Sequence, residues 1–286
     1  MTMFRRRHRQ SGGQFVQQPL LTTACSRART ATFDKEMKMN EQTNDTLRTI
    51  HSLRTTHGDF SDRDVGDDDL EAILAAAVRA ANASNAQNYA IIVIRDRAVM
   101  KDVSGGYSGA VALLFCVDFQ RNMDLAAHLG KVYEYDTAWA LTTGTVDATL
   151  AAQTAVIAAQ SLGIDSLLTN GIHRADPRRV WKTLNLPSQN CFPAIMLVLG
   201  YSKSSPTGHA GRLAAQGTIH QETYHRRNAA ELEQLATFQS DAANGLWEPK
   251  GFFDGPGKRA KTAYAQLAPT LAEAGFALPT TPPRKE

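Results

Sequence analysis

The segment TVDATLAAQTAVIAAQSLGI, residues 145–164, places the tightest constraint on this chain. Leu150, Thr154, Ile157, Ala158 and Leu162 recur at helical spacing, and Gly163 supplies a stop. Small or apolar residues also occupy its other sides, so the pattern predicts a helix buried all round. Such a helix needs covering layers. The chain offers them as short apolar runs: AIIVI (90–94), AVALLFCVD (110–118), DSLLTNG (165–171) and AIMLVLGY (194–201). Helical patterns alternating with a few apolar strands define an α+β domain with α/β/α layering.

The remaining segments fit around that frame. NEQTNDTLRTIHSLRTTH (40–57) reads as a helix through Leu47, Ile50 and Leu53, ended by Gly58 and Asp59. In VGDDDLEAILAAAVRAA, Asp67 or Asp68 caps a helix whose face is Leu70, Ile73, Leu74, Ala77, Val78 and Ala81. Its acidic cluster lacks the glycine and terminal glutamate of a calcium loop, and acids at a helix start complement the dipole. Residues 119–146 are less regular and read as an excursion able to cover a site. Asp176 and Pro177 open a further helix. Beyond Tyr201 the chain is polar to about residue 228, followed by the helix AAELEQLATFQ, Gly/Pro-rich turns and a short helix near KTAYAQLAPTLAEAG.

Charge is uneven. The net charge is +3, but residues 1–33 hold six arginines and no acid, and removing those six positive charges leaves −3. The body therefore has no electrostatic footprint for nucleic acid. The head, residues 1–39, reads as a disordered transit-like leader, or as sequence upstream of a true start at Met37 or Met39. No apolar run reaches the roughly 20 residues of a membrane span. Three cysteines without metal or redox spacing imply a reducing compartment and a cytoplasmic protein, with organellar import as the alternative if the head is a transit peptide. There is no GxGxxG after a strand, no GxxxxGK[ST], no GxSxG and no HExxH. The histidines His128, His173, His220 and His225 read as surface or packing residues, and no metal ligands are expected.

Two kinds of group remain. Arg54-Thr55-Thr56 puts a cation and two hydroxyls at a helix end, and Arg212 adds a second guanidinium in a polar loop. Guanidinium and hydroxyl donors can converge on phosphate oxygens. The junction RAANASNAQNYAIIVI (79–94) carries four amides, Asn82, Asn85, Gln87 and Asn88, among small residues. Asn82 and Ser84 suit a turn, but Asn85 and Gln87 ahead of a strand are harder to explain that way. LLTNG (167–171) gives backbone groups and a permissive glycine at a strand end.

In combination and order, residues 44–226 resemble the FMN-dependent nitroreductase family. The matching stretches are Arg54-Thr55-Thr56 with Phe60, the PSxxNxQ-type turn from Asn82 through Ala83 and Asn85 to Gln87, the alanine-rich helix ending in Leu162-Gly163-Ile164-Asp165, the loop Leu168-Thr169-Asn170-Gly171, Leu186-Pro187 before the last strand, and Arg212-Leu213. The resemblance implies a nitroreductase-like fold, a central mixed sheet flanked by helices in an interlocked homodimer, with FMN at the subunit interface. It implies that Arg54, Thr56 and Arg212 hold the phosphate, that the turn 82–85 reaches the cofactor of the other subunit, and that loop 168–171 lies beside the isoalloxazine. Residues 40–229 would form the FMN-binding domain and 230–286 a helical arm wrapping the partner. The implied function is hydride transfer from NADH or NADPH to nitroaromatic, quinone or related acceptors by a ping-pong mechanism, with no catalytic side chain because the flavin does the chemistry. Alternatives within the resemblance are flavin-destroying or reductive dehalogenase chemistry, or a flavin-binding sensor. The sequence departs from the family pattern at Gly58 and Ala210, where phosphate cations are common, at Ala81-Asn82 in place of Pro-Ser, and at Asn170, where an acid is common.

Overall fold

A computed structural model describes residues 44–204, 210–213, 217–255 and 262–277; the head, residues 1–39, lies outside them. Four strands make one sheet in the order β1-β2-β4-β3: β1 is Tyr89–Ile94, β2 Val111–Asp118, β3 Asp165–Thr169 and β4 Cys191–Gly200. Every pairing is antiparallel, where a mixed sheet was expected. β2 and β3 do run parallel to one another, because both oppose β4. The helices between them return the chain for a parallel strand, but one place further out, and β4 fills the gap.

Helix α1, Asp45–His51, is capped by the Asn44 side chain and ends six residues before the expected helix over 40–57 does; residues 40–43 lie outside the described ones. It stops before Arg54 because the next segment is claimed by the sheet: the Thr56 N–H donates to the Ser166 carbonyl (2.9 Å) and Phe60 bridges Ser202. Helix α2, Asp67–Ala77, buries Leu70, Ile73 and Ala77, whereas Val78 lies half exposed beyond its end. Its cap is Gly66 without a side-chain bond, not Asp67 or Asp68; the aspartates occupy the first turn, where they complement the helix dipole. Helix α3, Arg97–Ser104, links β1 to β2.

Residues 119–146 are more regular than expected. They hold helix α4, Gln120–His128, and the start of helix α5, Thr137–Ser161. Asp136 caps α5 by accepting from Trp139 N (2.8 Å). The helix is not buried all round. Its covered face is the small one: Ala140, Gly144, Ala148, Ala151, Ala152, Ala155 and Ala159. Small side chains let the helix axis approach β2 closely, so the larger Val146, Leu150 and Leu162 turn outward, 41–51% exposed. As the spacing predicts, Gly163 follows the last turn with φ +73°.

Helix α6, Arg178–Leu184, precedes β4. Helices α7, Ala229–Ser240, α8, Pro249–Asp254, and α9, Leu267–Glu273, form the C-terminal part. An Asn228–Glu231 capping box starts α7. α9 returns to the body, where Phe276 is fully buried and Arg178 Nε donates to Glu273 (2.7 Å). Among the described residues no helix is long and apolar enough to cross a membrane, and no His/Cys/Asp/Glu group suits a metal ion.

Candidate functional site

Edge strand β3, helices α1 and α5 and the segments around Arg54 and Arg212 enclose a cavity of about 470 Å³. Its apolar wall comes from Ile50 and Leu53, from Val156 on α5 and from Leu168 on β3. Its polar wall comes from Arg54, Thr55, Ser166 and Arg212. Sequence-distant cations and hydroxyls thus meet over apolar carbon, an arrangement that suits a phosphorylated ligand with a flat organic part.

Arg54 reaches the cavity already oriented. Its Nη2 donates to Asp165 Oδ1 at 2.7 Å, and Asp165 Oδ2 accepts from the Ser202 N–H at 2.9 Å. Both side chains are partly buried, so the pair holds one edge of the guanidinium and leaves its other N–H groups for a ligand. Arg212 is fixed by its own loop, donating through Nη1 to the Ala210 (3.0 Å) and Gly211 (2.9 Å) carbonyls. That loop is pinned by the C-terminal part: Gly211 N donates to Gly245 O, and a Cβ on Gly211 would lie 1.8 Å from the Asn244 carbonyl. Thr55 lines the cavity; Thr56 is buried and its N–H belongs to the sheet.

The loop 168–171 lies at the end of β3. Leu168 faces the cavity, while Thr169 is buried and its hydroxyl accepts from the Gly171 N–H (2.9 Å). Asn170 is exposed and leads into a 3-10 turn, Gly171–His173. Gly171 is a contact glycine: a Cβ there would fall 1.9 Å from the Ser104 carbonyl at the end of α3. Arg179 ties this corner together, donating to five carbonyls, those of Asp102, Val103, Gly171, Arg174 and Asp176, at 2.7–3.2 Å. Nothing local in the sequence marks that role, since three of its acceptors belong to other elements. His173 is a packing histidine: Nε2 lies 2.7 Å from the Pro193 carbonyl, its ring stacks on Phe192, and burial pushes its pKa down.

The amide turn stands apart from the cavity; none of Asn82, Ala83, Asn85 and Gln87 lines it. Residues Ala83–Asn85 form a 3-10 turn. Ser84, Asn85 and Gln87 all have left-handed backbones, with φ of 54°, 55° and 51°. A non-glycine residue there costs on the order of 1 kcal/mol, so three in four positions is unusual for a simple connection. Asn82 Oδ1 accepts from the Gln87 N–H (3.2 Å), which closes the turn on itself. Ala83 N donates to Asp147 Oδ1 of α5 (2.9 Å), and Arg121 Nη2 of α4 donates to the carbonyls of Gln87 (2.6 Å) and Ala86 (3.3 Å). Asn88 is fully buried and accepts from Asn122 Nδ2 (3.0 Å).

The fold and cavity define an α+β protein with a cavity against its edge strand β3 that is lined by two arginines. Residues 52–111 match the Nitroreductase family. The chain is 33% identical over 192 residues to the oxygen-insensitive NADPH nitroreductase of Salmonella typhimurium, covering 63% of this chain and 76% of the relative. It is 28% identical over 219 residues to an FMN reductase [NAD(P)H] of Bacillus subtilis, covering 71% and 86%. The solved structure of B. megaterium NfrA2 superposes with a TM-score of 0.69 at 25% identity, covering 83% of this chain and all of that one. The chain belongs to the nitroreductase family, has its fold, and is an oxidoreductase.

Proposed function

We propose that the chain is an FMN-dependent oxidoreductase that takes a hydride from NADH or NADPH and passes reducing equivalents to nitroaromatic, quinone or related acceptors by a ping-pong mechanism. The observation that carries this reading is the convergence of Arg54, Thr55, Ser166 and Arg212 on one cavity with an apolar wall. The donor set fits the phosphate of FMN, and the neutral amides of Asn82, Asn85 and Gln87 fit a hydrogen-bonding ring and ribityl chain without adding charge. Bound FMN would supply the hydride chemistry. Arg54 and Arg212 hold the phosphate, Leu168 covers apolar ring surface, and Thr169, Asn170 and Gly171 shape the loop beside it. Asn170 leaves that loop neutral.

The turn at 82–87 acts on the cofactor seated in the partner's cavity, which accounts for its distance from the arginines of its own chain. A homodimer is supported by Val146 and Leu150 on the outer face of α5, by Trp247 just before α8 and by Phe252 and Phe253 on it, all 36–63% exposed. Of the expected arm, residues 230–286, the stretch of α7 and α8 reaches over the partner, while α9 packs on its own body.

A second reading, flavin binding with weak turnover, draws on the pairing of Arg54 with Asp165, which offsets one of the two cavity cations. One experiment separates the two. The purified chain should be yellow, release FMN on denaturation, and bleach on anaerobic addition of NADPH or NADH, with colour restored by a quinone or nitroaromatic. Bound flavin that resists both nucleotides favours the second reading. A colourless protein that takes up no FMN refutes both. Under the phosphate assignment, Arg54→Ala and Arg212→Ala each weaken FMN retention, and unchanged affinity in both variants removes it.

A further inference from the structure

The amide turn is held from outside by two charged residues that no family pattern in the sequence singles out. Asp147 sits mid-way along α5, 1% exposed, on a helix face otherwise made of alanines with Gly144 and Val156. A carboxylate there is costly, because burial removes its water shell. Oδ2 has no protein partner, and Oδ1 accepts one bond, from the Ala83 N–H. Helix packing does not ask for this group: alanine, the residue at Ala140, Ala148, Ala151 and Ala155, serves that face elsewhere. Arg121 lies at the surface of α4, and its Nη2 is directed at the Gln87 and Ala86 carbonyls. One residue therefore grips the turn at its first helical position and the other at its last two carbonyls, with the left-handed Ser84, Asn85 and Gln87 lying within that span. The turn's own side-chain bonds are long, 3.2–3.4 Å, and its short internal bonds are backbone ones, from Ala86 N to the Ala83 carbonyl (2.9 Å) and from Tyr89 N to the Gln87 carbonyl (2.7 Å), so no short bond within the turn fixes its amide side chains. Tyr89, the first residue of β1, senses both groups: burial and the Asp147 carboxylate raise its pKa, and Arg121 lowers it.

We propose that Arg121 and Asp147 are positioning residues, which hold the strained turn Asn82–Gln87 in the one conformation that presents its amides to FMN. Helices α4 and α5 thereby act on the cofactor without touching it. The proposal rests on the placement of the turn at the cofactor given above. Charge-assisted bonds to backbone groups are stronger than neutral ones, and a strained segment persists only where its surroundings over-determine it.

The test uses the full-length flavoprotein. FMN dissociation constant, visible circular dichroism of the bound flavin, kcat, KM for the reducing nucleotide and thermal midpoint are measured for Arg121→Ala, Arg121→Lys, Asp147→Ala and Asp147→Asn. Arg121→Ala and Asp147→Ala are expected to weaken FMN binding about tenfold or more and to change the flavin dichroism. Asp147→Asn, which keeps the Oδ1 acceptor, and Arg121→Lys, which keeps a donor, should recover most of that loss. Arg121 is exposed, so its variants decide the matter if Asp147→Ala does not fold. Affinity within twofold of wild type and an unaltered flavin spectrum in Arg121→Ala would overturn the proposal. Asn82→Ala and Gln87→Ala serve as the reference pair. If they weaken FMN while Arg121→Ala is silent, only the clamp fails. If they too are silent, or the wild type holds no FMN, the turn's placement at the cofactor fails and takes the clamp with it.

Discussion

The arginine cavity and the amide turn solve the same problem, holding polar groups ready for a ligand, in opposite ways. The cavity is charged, and its groups are fixed by ordinary backbone and by partners across the sheet end: Arg54 by Asp165, Arg212 by its own loop carbonyls. The turn is uncharged, and its geometry is held in left-handed backbone by residues reaching in from α4 and α5. The contrast teaches that a site can be preorganised either by pairing side chains or by storing strain, and that the two should fail differently.

Three substitutions sharpen or break that contrast. The largest effect is expected at the loop beside the cavity. Gly171→Ala drives a Cβ to 1.9 Å from the Ser104 backbone carbonyl, and backbone cannot yield as a side-chain tip can. A loss of about 3 kcal/mol in urea unfolding is expected; a loss under about 1 kcal/mol would mean that the α3 corner is soft. Next comes the cation pair. Arg54→Ala leaves Asp165 with the Ser202 N–H as its remaining partner, and a cost of about 1–2 kcal/mol is expected for this partly buried pair. The double variant with Asp165→Ala should cost less than the sum of the singles; strict additivity in that cycle would show that the pair contributes nothing. The smallest effect, of opposite sign, belongs to the turn. Ser84→Gly removes the strain at φ 54° and should stabilise the fold by about 0.5 kcal/mol, since glycine accepts that conformation but loses more entropy on folding. A destabilised Ser84→Gly protein would contradict stored strain at that position.

Local pattern carried much of the fold. The helix over Asp67–Ala77, strands Val111–Asp118 and Cys191–Gly200, and the helix over Ala229–Ser240 were legible because burial repeats at their own periods. The start of α5 was not. Gly144 looks like a breaker in sequence, yet a Cβ there would lie 2.5 Å from Val117 Cγ1, so the glycine marks close approach to β2 inside a continuous helix. The same cause corrects the reading of that helix as buried all round: tight packing on a sheet selects the alanines and leaves Leu150 and Leu162 outside. At the site, Arg54 and Arg212 were visible as unexplained cations, and the four amides as an oddity of composition. Arg179, Asp147 and Arg121 were not, because their partners are carbonyls and amides that every residue carries.

Sequence alone determined the four strands and most of the helices, their order, and that the family's phosphate and amide motifs follow one another along residues 54–212. Those properties depend on neighbours a few residues away. Only the tertiary structure decided what each charge faces: Asp165 meets Arg54 across 111 positions, and Asp147 meets Ala83 across 64. A carboxylate takes whichever donor the crossing of helix and sheet brings within about 3 Å, and no local pattern encodes that crossing.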